Sequence, residues 1–277
     1  MRSRAAIVVL LPLLVASACA HTPTKEQREQ AAAEYKVGLS FVHEAQASAG
    51  AGSYTTQDLK YRQALESLLK AESLDPENAE VHYLLGLVYF MGFKRHVDAE
   101  KHLRRAMELK EDDYPEADNL LGGVLVDVGR AEDALPFYQR ARSNLLYKTP
   151  YFAEEGLGWA LYKLGRFDEA ATHVKNALVA QPDLCGAYIK LSEVEEARGR
   201  TDQAIRVLDD FVGRCDSDRL RSVVGSHLLA YAYFRLGMTR LKSGDRGLAA
   251  EALRICTSRF SAEPVSEECD KSLKLVE

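Results

Sequence analysis

Apolar residues recur at helical period along most of the chain, and a pattern of small residues recurs with them. A small residue is followed seven positions later by Gly, and Ala comes five positions after that Gly. The pattern occurs at Gly122/Gly129/Ala134, Gly158/Gly165/Ala170, Ser192/Gly199/Ala204 and Gly237/Gly244/Ala249. Small residues let two helices cross closely, and Gly suits the turn between them. The pattern therefore predicts antiparallel helix pairs repeated along the chain.

Two further copies of the pattern lie upstream, through Gly86 and Ala99 and through Gly38 and Ala64. The equivalent small residues of the six copies are separated by 48, 36, 36, 34 and 45 positions. This pattern resembles the tetratricopeptide repeat, whose period is about 34 residues. The resemblance implies an all-α fold, a right-handed superhelical solenoid of six tetratricopeptide repeats with a C-terminal capping helix.

The spacing also predicts how the chain is divided. We expect repeats at about 31–78, 79–114, 115–150, 151–184, 185–224 and 230–263, and the capping helix at 264–277. The two long intervals predict insertions. The first is a flexible loop at Ser48–Thr56, and the second lies near Cys215–Val224.

The N-terminus has the pattern of an export signal. Arg2 and Arg4 precede an apolar run from Ala5 to Val15, which is too short to span a bilayer, and small residues then lead to Cys19. This resembles a bacterial lipobox, which implies a lipoprotein signal peptide at 1–18, lipid attachment at Cys19 and a tether at 19–30. Ala20 in place of Asp favours the periplasmic face of the outer membrane. An ordinary signal peptide cut after Ala18 is the alternative.

Charge and cysteines narrow the classes of protein further. The formal charge is -5, so there is no basic field that would point to nucleic acid.

Export would place the other cysteines in an oxidising compartment. Antiparallel packing of the fifth repeat would bring Cys185 to Cys215, and packing of the cap would bring Cys256 to Cys269. We predict these two disulfides; four buried thiols are the alternative.

No catalytic motif accompanies the repeats. There is no HExxH, GxSxG, Walker loop or GxGxxG after a strand. We read His82 as a packing residue, and the spacing of His96 and His102 does not place them on one helical face. Glu111–Asp113 reads as a solvated loop. We therefore predict no enzyme activity, no cofactor, no metal site and no small-molecule substrate.

The expected inner surface of the solenoid is apolar and aromatic. In tetratricopeptide repeats the second, fifth, ninth and twelfth positions of each first helix usually face the groove. The residues predicted to form a partner-binding groove here are Tyr35, Leu39, Val42, Tyr83, Leu87, Phe90, Phe152, Trp159, Tyr162, Ile189, Phe234 and Met238, with Tyr231 and Leu241 beside them. A groove of this kind predicts an apolar or amphipathic protein segment as its ligand. Burial of these residues within the fold is the alternative.

The lipobox-like start and six repeats together resemble the type IV pilus pilotin lipoproteins, the PilF, PilW and Tgl family. The closest likeness is the segment NLLYKTPYFAEEGLGWALYKLGRFDEA, Asn144 to Ala170, and Gly122–Leu125 is also similar. The resemblance implies a lipoprotein that binds PilQ-like secretin subunits and helps them to reach the outer membrane and assemble. The alternative is a lipidated envelope adaptor for peptidoglycan hydrolases or proteases.

Overall fold

A computed structural model describes residues 22–50 and 54–276 of the protein. Helices account for every regular element of these residues, so the predicted all-α fold is confirmed. None of the helices in these two ranges is both long and apolar enough to cross a membrane. The helices are α1 Lys25–Gly50, α2 Tyr54–Leu74, α3 Ala79–Leu87, α4 His96–Leu109, α5 Pro115–Asp127, α6 Ala131–Ser143, α7 Pro150–Lys163, α8 Phe167–Ala180, α9 Cys185–Ala197, α10 Thr201–Cys215, α11 Arg221–Val224, α12 Ser226–Lys242, α13 Arg246–Arg259 and α14 Ser266–Lys274.

The small residues of the sequence pattern lie where the two helices of a pair cross. A Cβ atom added to Gly86 would come within 2.6 Å of Leu103 Cγ, and one added to Gly158 within 2.6 Å of Val174 Cγ2. The alanine at the end of each pattern, such as Ala170, is fully buried on the facing helix. The pattern is therefore a packing requirement, because a larger side chain would push the paired helices apart.

Most of the turns inside the pairs rest on glycine in the left-handed region. Gly129, Gly165, Gly199 and Gly244 have φ between 72 and 87°. The second pair differs, because Lys94 takes this conformation with φ 53°. Lys94 comes after a π-helical turn at Val88–Gly92. This turn accommodates the one extra residue that the second repeat has between Gly86 and Ala99.

The first repeat is longer than predicted at both of its helices. The tether prediction is wrong for residues 25–30, because α1 begins at Lys25. A capping box starts the helix: Thr24 Oγ1 accepts from Gln27 N at 3.2 Å, and Gln27 Oε1 accepts from Thr24 N at 2.9 Å. The loop predicted at Ser48–Thr56 is also too long, because α1 continues to Gly50 and α2 begins at Tyr54. The predicted signal peptide and Cys19 lie outside the described residues.

The insertion after the fifth repeat is ordered around a buried carboxylate. Asp216 accepts hydrogen bonds from Arg221 Nε at 2.7 Å, Tyr233 Oη at 2.7 Å and Arg259 Nη1 and Nη2 at 2.8 and 2.9 Å. Burial alone would raise the pKa of Asp216, but these hydrogen bonds outweigh it and lower the pKa to about 2. The network joins the insertion to the sixth repeat. The short α11 also contacts α1, so the superhelix curves until the insertion meets the first helix.

Two disulfides close the C-terminal half. Cys185 pairs with Cys215 across the fifth repeat, and Cys256 on α13 pairs with Cys269 on α14. Both predicted pairings are therefore present. The predicted cap is also present, because α14 packs on α12 and α13 and buries Cys269.

Candidate protein-binding surface

In a tetratricopeptide superhelix the first helix of each pair lines the inner surface. We call the face made by α1, α3, α5, α7, α9 and α12 the concave surface. Side chains connect neighbouring helices along it: Lys190 Nζ lies 3.1 Å from Glu155 Oε1, and Tyr231 Oη donates to Glu193 Oε1 at 3.3 Å. The surface is thus continuous from α7 through α9 to α12.

Most residues of the predicted groove lie on these helices with part of the side chain exposed. Phe152 is exposed, Met238 is partly buried, and the others pack against the core while keeping some exposed area. These others are Tyr35, Leu39, Tyr83, Leu87, Phe90, Trp159, Tyr162 and Phe234.

Two residues of the predicted groove are core residues instead. Val42 is 2% exposed and Ile189 is 6% exposed, so their assignment to an open groove is wrong. Each lies one helical turn from the small residue of its repeat, Gly38 or Ser192, and therefore faces the second helix of its own pair. Both residues are apolar, as expected of a groove residue. Their burial depends instead on which side of the helix they occupy.

The aromatic centre of the concave surface is on α7. The rings of Trp159 and Tyr162 stack with centroids 4.7 Å apart and an interplanar angle of 16°. Lys163 Nζ lies 4.6 Å from the Trp159 ring centroid, and Lys190 Nζ lies 5.7 Å from it. Two ammonium groups therefore border the only tryptophan, which presents an aromatic face flanked by positive charge.

A charged cleft lies beside the aromatic centre, between α7, α9 and α12. It encloses about 440 Å³ and is lined in part by Tyr162, Glu193 and Tyr231. Also lining it, Glu196 Oε2 lies 3.1 Å from Arg235 Nη2 and accepts from Lys242 Nζ at 3.2 Å. The concave surface is thus mixed in character at this end, which differs from the largely apolar groove that we predicted.

The missed acidic residues had a signal in the sequence. The positional rule that selects Trp159 and Tyr162 on α7 selects Glu193 and Glu196 on α9, at the ninth and twelfth positions counted from Cys185. Glu193 and Glu196 were not predicted because only apolar residues were selected at these positions. Arg235 had no such signal, because it lies one position away from the predicted Phe234.

The two tyrosines of this cleft have raised pKa values. Burial, and then the nearby Glu193 carboxylate, raise the pKa of Tyr162, and the same two causes raise the pKa of Tyr231. Both phenols therefore stay protonated and can donate hydrogen bonds. Arg235 Nε is buried and has no hydrogen-bond partner among the described residues. The Tyr162 hydroxyl can thus offer a hydrogen bond to the backbone or carboxylates of a bound segment.

A second exposed apolar feature lies in the linker between α6 and α7. Leu145 and Leu146 are 99 and 82% exposed, while the next residue, Tyr147, is buried. Asn144 fixes the linker, because its Oδ1 accepts from Leu146 N at 2.9 Å and its Nδ2 donates to Asp113 Oδ1 at 2.6 Å. The leucine pair is therefore held out from the body of the protein.

Comparison with known proteins identifies the repeats. A family model described as TPR repeat matches residues 60–92, and one described as tetratricopeptide repeat matches residues 156–219; neither is a catalytic family. No curated protein sequence matches the chain.

Solved structures with the same architecture include two pilus-related proteins. The crystal structure of PilW, described as a widely conserved type IV pilus biogenesis factor, is 20% identical with a TM-score of 0.71, covering 86% of this chain and 97% of PilW. The pilF protein of Pseudomonas aeruginosa is 18% identical with a TM-score of 0.64, covering 89% of this chain and 99% of that one. A tetratricopeptide repeat protein from Parabacteroides merdae is 12% identical with a TM-score of 0.59, covering 87% of this chain and 99% of that one. This chain is a tetratricopeptide repeat protein with structural similarity to PilW and PilF.

Proposed function

We propose that the chain is a pilotin-type scaffold, which binds secretin subunits and promotes their targeting to the outer membrane and their assembly into the type IV pilus secretin. Three observations support the proposal. The fold is similar to PilW over 86% of the chain. The N-terminus carries a lipobox-like segment ending at Cys19. The concave surface combines exposed aromatic and charged groups, as a surface that binds a protein segment requires.

The observation that carries the proposal is the junction of the aromatic centre and the charged cleft. The stacked pair Trp159–Tyr162 lies on one side of this junction, and Glu196 with Arg235 and Lys242 lies on the other. An amphipathic segment would place its apolar residues on the rings and its polar residues in the cleft. Aromatic and arginine side chains are also the types that most often dominate binding energy at protein interfaces.

In this account the lipid on Cys19 holds the scaffold at the inner leaflet of the outer membrane. The concave surface covers a membrane-destined segment of the secretin monomer until oligomers form. Several acyl chains would make the attachment lasting, whereas a single chain gives marginal binding.

Affinity capture of the tagged protein from its native envelope tests the proposal, with detergent solubilisation and mass spectrometry of the captured proteins. We expect a secretin as the leading partner and at least a tenfold loss of it in Trp159→Ala and Tyr162→Ala. Val179→Ala is the matched control, because Val179 is an exposed apolar residue of α8 outside the concave surface.

The other outcomes discriminate between alternatives. Loss of the secretin only in a Leu145→Ala/Leu146→Ala variant would move the binding surface to the α6–α7 linker. Capture of cell-wall hydrolases without a secretin would overturn the proposal in favour of an envelope adaptor. Circular dichroism of each variant separates a binding defect from unfolding.

A further inference from the structure

Three side chains capable of binding a metal ion converge between the first and second repeats. They are Glu72 in the last turn of α2, His82 on α3 and His102 on α4. The Nδ1 atoms of the two histidines are 3.0 Å apart, and Glu72 Oε1 lies 3.7 Å from each of them. His82 was expected only to pack, His102 was considered only beside His96, and the 20 residues between His82 and His102 in the sequence do not predict that they meet.

The distances fit a small divalent ion. A point equidistant from the three atoms lies about 2.0 Å from each, which is the length of Zn–N and Zn–O bonds. A tetrahedral arrangement needs the two nitrogens to separate, and the Glu72 oxygen to approach them, by a few tenths of an ångström. Two imidazoles and one carboxylate are also a ligand set that Zn²⁺ takes in proteins, with water in the fourth position.

The surroundings hold His82 in the tautomer that a metal requires. Its Nε2 lies 2.9 Å from the carbonyl oxygen of Pro76. Because a carbonyl only accepts, Nε2 carries the proton and the lone pair of Nδ1 faces Glu72 and His102. A backbone carbonyl behind a ligating imidazole is the usual second contact in metal sites.

His102 is held just as firmly. Its ring stacks on Tyr89 with centroids 5.4 Å apart, and both histidine side chains are buried. The Glu72 side chain is 29% exposed and gives an ion and its water a route from solvent.

A hydrogen bond between the two histidines would leave the Glu72 carboxylate without a partner in the cluster. If His102 Nδ1 donated to His82 Nδ1, both nitrogens would be satisfied. The carboxylate oxygen would then sit 3.7 Å from both rings, which is too far for a hydrogen bond to either. A cation between the three groups would give the Glu72 oxygen a direct partner in the cluster.

We propose that Glu72, His82 and His102 bind one divalent transition-metal ion, with Zn²⁺ the best match, and that the ion fastens the first repeat to the second. The ligands come from α2, α3 and α4, so binding would stabilise the interface between two repeats. The site would do for the N-terminal half what the two disulfides do for the C-terminal half.

Isothermal titration of the EDTA-treated, untagged protein with Zn²⁺ tests the proposal. We expect one ion per chain, at least tenfold weaker binding in Glu72→Gln and His102→Gln, and no change in His96→Ala. His96 is a matched control because it also pairs with a carboxylate, with Nε2 2.6 Å from Asp127 Oδ2, away from the cluster.

Two further readouts keep the test decisive. Zn²⁺ should raise the thermal unfolding midpoint of the wild type more than that of Glu72→Gln at the same Zn²⁺ concentration. Glu72 is exposed enough for that variant to fold. Co²⁺ in the same site should give the intense visible absorption of a four-coordinate ion. Absence of stoichiometric binding, or equal binding by Glu72→Gln and wild type, would overturn the proposal.

Discussion

Removal of the Cys185–Cys215 disulfide should cost more stability than removal of the Cys256–Cys269 disulfide. The Cys185–Cys215 bridge spans 30 residues, for which loop closure in the unfolded chain gives about 3.6 kcal/mol. The Cys256–Cys269 bridge spans 13 residues and gives about 2.9 kcal/mol by the same relation. The two bridges therefore differ in the constraint that they place on the unfolded state.

The test uses paired alanine variants. Cys185→Ala/Cys215→Ala and Cys256→Ala/Cys269→Ala each remove one bridge, and alanine avoids placing a hydroxyl at these buried positions. Urea unfolding followed by circular dichroism gives the free energy of unfolding and its dependence on urea. We expect the first pair to lose about 3 to 4 kcal/mol and the second slightly less.

Reduction supplies the control for this experiment. Dithiothreitol should bring the wild type below either variant, because it opens both bridges. A loss of under about 1 kcal/mol in Cys185→Ala/Cys215→Ala would refute the loop-closure reasoning. So would a clearly larger loss in Cys256→Ala/Cys269→Ala.

Further predictions concern the second repeat and the insertion. In urea unfolding, Lys94→Gly should raise the free energy of unfolding by about 1 kcal/mol, because glycine adopts φ 53° without strain. Lys94→Ala should give no gain, and a gain equal to that of Lys94→Gly would contradict the reasoning. Asp216 has a pKa lowered to about 2, so it stabilises the fold above the unfolded pKa near 4, and this contribution should be lost as pH falls from about 4 to 2. In Asp216→Asn the stability should be lower at pH 7, and its fall between pH 4 and 2 should be shallower; an unchanged profile would contradict the network's role.

The architecture could be predicted because its determinants are local and repeated. The small residue, the turn glycine and the buried alanine each report one contact within a helix pair, and their recurrence defines the pairs. The disulfides followed from the same pairing, because antiparallel helices bring Cys185 to Cys215.

Features that depend on exact register or on several repeats at once could not be predicted in the same way. Val42 and Ile189 differ from groove residues only by rotation about the helix axis. The meeting of Glu72, His82 and His102 depends on the packing of three helices from two repeats. The early start of α1 did have a local signal, the Thr24–Gln27 capping box, which we overlooked.

The most direct test of the proposed function uses the only tryptophan as a probe of the concave surface. The protein labelled with 5-fluorotryptophan has one fluorine resonance, from Trp159, and can be titrated with the unlabelled periplasmic part of the secretin from the same organism. Trp159→Phe/Val179→Trp moves the probe to an exposed position on α8 as the control. The account predicts that the secretin shifts or broadens the Trp159 resonance and leaves the control resonance unchanged. An unchanged Trp159 resonance at saturating secretin would contradict it.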